Sequence, residues 1–142
     1  MAVVRRSQFK SPKDIKPVYY SDINSLMQAH PNTRDISTTE NEDSVKNAIR
    51  NILLTRKGER FFNPSFGSGI YSILFENMSS ASESDLRTLV NNALENYEPR
   101  AQVLKLEVSP YPDENGYVIT LVFSVINRSE PVVMNILLDR IR

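Results

Sequence analysis

The 142-residue chain contains no cysteine. Disulfides, thiolate metal sites and a cysteine nucleophile are therefore excluded, and the composition suits a protein assembled in a reducing cytoplasm. Its single histidine, His30, precedes Pro31 in a polar stretch. A Ser/His/Asp set and His-based metal spacing have nothing to build on, and His30 reads as solvated loop surface. An excess of one charge is also missing: 17 Lys and Arg stand against 17 Asp and Glu. Whole-chain electrostatics thus favour neither nucleic acid nor an anionic membrane. No apolar run approaches the ~20 residues needed to cross a bilayer, and no apolar segment follows the basic residues 1–11, as a secretory signal would require. Glycines number only four and form no phosphate-cradling loop. No metal or cofactor is expected.

What remains is an ordinary globular composition, 40% apolar and 24% charged, long enough to bury about 68% of its unfolded surface in one domain. Residues 1–17 hold Arg5, Arg6, Lys10, Lys13 and Lys16 against Asp14, a local excess of +4 that leaves −4 elsewhere. With Pro12 and Pro17 they read as a flexible basic arm, either a plain tail or a segment that orders on a neighbouring subunit. Residues 18–142 read as a single domain. "PVYYSDI" is a short strand or anchor, and "HPNTRDISTTENED" is irregular connection.

Thr39 and Glu42 have capping-box spacing. Val45, Ala48, Ile49, Ile52 and Leu53 follow at helical intervals, predicting a helix over 40–55 that Gly58 stops. "GERFFNPSFGSGIYSILFENM" holds five of the chain's twelve Phe and Tyr residues. It either caps the core or displays a sticky surface, with a short helix near Ile70, Leu74 and Phe75. A second helix starts near Ser82 or Ser84 and carries Leu86, Leu89, Val90, Ala93, Leu94 and Tyr97 on one stripe. Pro99 ends it, because proline lacks an N–H and drives Glu98 out of the helical region. The period then changes from 3.6 to 2. Leu104, Leu106 and Val108 alternate with Lys105 and Glu107, "PYPDENG" is a turn, and "YVITLVFSVI" is a central strand. "VVMNILLD" is a third strand or a terminal helix. The expected class is α+β: an antiparallel meander of about three to four strands covered by two main helices.

Carboxylates are the only abundant catalytic candidates. Glu59, Glu76 and Glu98 are available, but nothing in their spacing gives the two carboxyl groups that glycosidic cleavage needs. Basic residues are scattered apart from the arm and "RKGER", so no nucleic-acid recognition module is visible.

The order "NILLTRKGERFFNPSFGSGI", "LFENM", then a helix ending "NYEPR" before paired strands resembles a known family. It is similar to the baseplate wedge proteins of contractile-tailed phages, the sheath initiators of the lysozyme-like baseplate family, related to a baseplate component of type VI secretion systems. The resemblance covers about residues 40–130 and leaves the basic arm aside. It implies a structural virion protein rather than an enzyme, assembled in the host cytoplasm and without cofactor. Its partners would be the helical core bundle of other wedge proteins and the tail sheath protein, the latter by strand addition. The family's Glu-Pro-Arg docking motif corresponds to Glu98, Pro99 and Arg100. Arg56, Glu59 and Arg60 are secondary candidates for an interface or for internal ion pairs. In an extended segment Glu98 and Arg100 would project together, with Arg100 on the surface and dispensable to folding. The competing reading is that the two charges simply pair with each other. From another class, a peptidoglycan-cleaving glycosidase of the same particle stays as the alternative, with Glu76 as its acid.

Overall fold

A computed structural model of the chain describes residues 17–111, 116–128 and 130–139. The basic arm up to residue 16, Asn115 of the expected turn and the charged C-terminal residues 140–142 lie outside the described residues. The chain divides into two compact units, Met1–Asn41 and Glu42–Arg142.

In the first unit, β1 (Ser21–Ile23) pairs antiparallel with β2 (Thr38–Glu40), Asp22 lying opposite Thr39. His30 closes the turn between them: its Nδ1 accepts from the backbone N–H of Asn32 at 3.3 Å and of Thr33 at 3.4 Å. The side chain of Asn41 fastens the unit's start, accepting from the Tyr19 N–H at 2.8 Å and donating to the Pro17 carbonyl at 3.2 Å. Asn41 adopts a φ of 51°, a left-handed value that asparagine tolerates better than most residues.

Helix α1 (Asn41–Leu54) buries Val45, Ile49, Ile52 and Leu53, as the helical spacing requires. Its beginning differs from the expected capping box. Thr39 lies in β2, and Glu42 forms an ion pair with Arg128, 86 residues downstream. Its end differs too, since Gly58 does not cap it. The helix closes at Leu54, and Ser68 returns to satisfy the last carbonyls, Oγ donating to Leu53 O at 2.6 Å and N–H to Thr55 O at 3.0 Å. A short α2 (Ile70–Ile73) packs on α3 (Ser80–Tyr97). Helix α3 starts ahead of Ser82 and Ser84 because Ser79 is the cap, its Oγ accepting from the Ser82 N–H at 3.2 Å.

The sheet of the second unit is an antiparallel meander in the order β3-β4-β5, formed by Ala101–Tyr111, Gly116–Val125 and Pro131–Leu138. Residues 132–138 therefore form a strand. Tyr117, Ile119, Leu121, Phe123 and Val125 of β4 and Val132, Met134, Ile136 and Leu138 of β5 are buried on one face. Burial of each large apolar side chain contributes roughly 1.5–3 kcal/mol. Strand β3 departs from the expected alternation. The register skips Leu104 between Val103 and Lys105, so two residues of β3 face one of β4 and the side-chain phase reverses. Leu104, expected inward, is 56% exposed, whereas Val108 is buried. On the outer face the Lys105 ammonium lies 2.7 Å from Glu107 and holds that carboxyl below its usual range, chiefly by hydrogen bonding and then by its charge.

Candidate docking site

Proline at position 99 dictates the local geometry. Helix α3 ends at Tyr97, and Glu98 leaves the helix at φ −132° and ψ 71° while its N–H still donates to Leu94 O at 2.9 Å. The Glu98 carbonyl then accepts from the Ala101 N–H at 3.2 Å. This closes a four-residue turn with Pro99 second, where its fixed φ is suited. The Arg100 carbonyl accepts from the Ile126 N–H at 2.9 Å, which pins the turn beside the end of β4. Glu98–Arg100 is thus a turn and not the extended segment expected.

The two side chains nevertheless point together. Arg100 donates from Nε to Glu98 Oε1 at 2.6 Å and from Nη2 to Oε2 at 2.8 Å, a two-pronged charged pair. Glu98 is only 2% exposed, whereas the Arg100 side chain is 31% exposed and Pro99 lies on the surface. The expected pair of surface charges is therefore corrected. Glu98 spends its carboxylate on Arg100, and Arg100 is half-buried in the fold. Beside the turn runs an open groove of about 420 Å³ with mixed walls, apolar at Pro99, Ala101, Val103 and Ile126 and polar at Glu95, Glu98 and Gln102.

Arg56, Glu59 and Arg60 lie in the connection between α1 and α2 and serve mainly to fix it. Glu59 Oε2 accepts from the Arg56 N–H at 2.9 Å. The Arg56 guanidinium lies 4.3 Å from the Tyr71 ring centre, and that of Arg60 lies 3.9 Å from the Phe66 ring centre. Phe66 in turn packs against Tyr97 at 5.0 Å, and the Tyr97 hydroxyl donates to Ser65 O at 2.5 Å. Gly67 completes the closure at φ +108°, where a Cβ would come within 2.5 Å of the Thr55 carbonyl oxygen. These contacts tie the connection to the end of α3 that carries Glu98. Sequence reasoning did not find Ser68, Arg128 or the stacking of Phe66 on Tyr97, because each acts across a long separation with no local pattern to mark it.

The carboxylates offered for glycosidic cleavage are placed differently from one another. Glu59 is committed to its own loop and Glu98 to Arg100. Glu76 is exposed and shares an open hollow of about 470 Å³ with Phe75 and Asp85.

Residues 39–130, a segment that includes this turn and the connection before it, match the family described as baseplate wedge protein gp25. The chain belongs to this family. The baseplate wedge protein gp25 of Enterobacteria phage T4 is 35% identical over 113 residues, 80% of this chain and 85% of that relative. A crystal structure from Geobacter sulfurreducens, named as a candidate tail lysozyme, shares the fold at a TM-score of 0.66 and 26% identity over 71% of this chain and 92% of that one. A chain in the baseplate complex of a type VI secretion system shares it at a TM-score of 0.55 and 18% identity, over 68% of this chain and 93% of that one. Family membership gives the protein a structural role in a tail baseplate, and a baseplate protein of a phage tail is a virion component. The matched segment stops just short of β5.

Proposed function

We propose that this protein is a non-enzymatic wedge subunit that docks on the helical core bundle of its wedge partners through the Glu98–Pro99–Arg100 turn and offers the outer edge of β5 to the tail sheath protein. The observation that carries the docking half is the buried Glu98 carboxylate gripping the Arg100 fork on a proline-closed turn. A cation already held in one orientation loses little entropy when a partner carboxylate or carbonyl meets it. The neighbouring groove would take an apolar side chain of the same partner. Arg56, Glu59 and Arg60 support this surface from behind by fixing the connection against α3.

The edge half rests on the hydrogen-bond phase of the sheet. Ile126 N–H reaches Arg100 O, so the even-numbered residues of β4 turn their N–H groups toward β3 and the odd-numbered ones toward β5. Opposite those, Val132, Met134, Ile136 and Leu138 of β5 bond inward, which directs the N–H groups of Val133, Asn135 and Leu137 outward. Among the described residues no strand pairs with that edge. Strand β3 is the poorer candidate, since its bulge and Pro110 blunt it. Strand addition at β5 would use main-chain pairing to register the first sheath subunits. Assembly in the host cytoplasm, by way of these two surfaces and in a salt-dependent way through the basic arm, completes the proposal.

The test is recovery of the chain with its wedge partners from assembling particles, read by mass spectrometry. Arg100→Ala is expected to weaken recovery, and undiminished recovery would contradict docking through this turn. The glycosidase alternative is tested by peptidoglycan turbidity. No clearing is expected, and lysis that disappears in Glu76→Gln would overturn the non-enzymatic reading.

A further inference from the structure

The connection between α1 and α2 is braced at its base and bare at its tip. Glu59, Arg60, Phe66 and Tyr97 lock it, and Gly58 donates its N–H to Pro64 O at 2.8 Å across the tip. Phe61 and Phe62 sit inside that closure, yet Phe61 is 98% exposed and Phe62 is fully exposed. They were expected either to cap the core or to display a sticky surface, and they lie exposed, off the core. Two neighbouring rings left in water on a braced turn are unusual for a globular surface, where apolar residues are normally scattered singly.

We propose that Phe61 and Phe62 form a pre-ordered anchor that inserts into an apolar cleft rimmed by carboxylates on another baseplate protein. Charge selects this occupant. Lys57 and Arg60 flank the rings and are exposed, while Glu59, the one acid between Lys57 and Phe62, turns its carboxylate to the Arg56 N–H. Along the chain the tip is therefore apolar and flanked by a net positive charge, Lys57 and Arg60 against Glu59. The chain's own arm, itself carrying an excess of +4, would be repelled from it. A second copy presenting the same tip would be repelled likewise. Aromatic anchors that enter a pocket and lose little conformational freedom are the side chains that dominate interface energetics. The anchor rests on family membership and not on docking through Arg100, so either surface can fail alone.

The test uses the full chain in assembling baseplates. Phe61 is replaced by photoreactive benzoyl-phenylalanine, and the crosslinked peptides are sequenced, with the same replacement at exposed Asn51 of α1 as control. Crosslinks are expected at an apolar segment flanked by Asp or Glu in another baseplate protein. Phe61→Ser/Phe62→Ser is expected to melt like the wild type and to enter baseplates at least about tenfold less well. Crosslinks no stronger than at Asn51, crosslinks only to a second copy, or normal entry of the double variant would overturn the proposal. So would a collapsed melting temperature, which would make the rings part of the fold. Flotation of the purified chain with phosphatidylglycerol vesicles, lost in the double variant, would assign the tip to a lipid surface instead.

Discussion

A carboxylate 2% exposed has to meet its charge inside the protein, and at Glu98 the partner lies two residues along the same turn. Removing Arg100 would strand that charge. A fully buried pair broken in this way costs about 3–5 kcal/mol, but Arg100 is partly in water, which screens the loss. Arg100→Ala is therefore expected to destabilise the isolated protein by roughly 2 kcal/mol, a fall of roughly 5–10 °C in Tm for a chain of this size. Glu98→Gln/Arg100→Met, which removes both charges and keeps the volume, is expected to recover most of that. Calorimetry of the isolated variants checks both values, and an unchanged Tm for Arg100→Ala would mean that Glu98 is satisfied without it. Part of this was legible in the sequence: Pro99 marks the helix end, and mutual pairing of the charges on either side of it was one of the two readings open there. The turn was not, because the bonds from Ala101 to Glu98 and from Ile126 to Arg100 depend on where β4 returns.

Among the elements, the strands show what a period of two reveals and what it conceals. Strand β5 alternates without interruption and ends as an edge, with Asn135 exposed and opposite Thr120. Asn135→Pro removes an N–H that points away from β4, so the isolated protein is expected to stay folded with a modest loss in Tm. Particles carrying it are expected to lack sheath by electron microscopy. Full-length sheaths would refute templating through β5, and a collapsed Tm would show that the strand is interior. Strand β3 looked equally regular, yet its bulge at Leu104 reverses the side-chain phase and leaves that leucine outside. No residue near Leu104 signals an extra position, since a bulge is fixed by pairing with β4. The start of α1 was misread for a related reason: capping is a local rule, and Glu42 answers instead to Arg128 at the far end of the chain.

At the scale of the whole molecule, composition narrowed the field before any residue was placed. A chain without cysteine can form neither a disulfide nor a thiolate metal site. The α+β class and the meander were readable from the change of period after Pro99, and the family from the motifs spanning α1 to β4. The division at Asn41 was not readable, because it is made by the pairing of β1 with β2 and by the bonds of Asn41 to Pro17 and Tyr19. If Arg100, oriented by Glu98, is what joins the protein to the wedge, docking must fail when both charges are removed from an intact fold. The most direct measurement is wedge reconstitution with Glu98→Gln/Arg100→Met, which separates docking from folding. A variant that melts within a few degrees of the wild type yet fails to co-purify with the wedge partners is the expected result. A wild-type yield of wedges from that variant would show that Arg100 does not join the protein to the wedge.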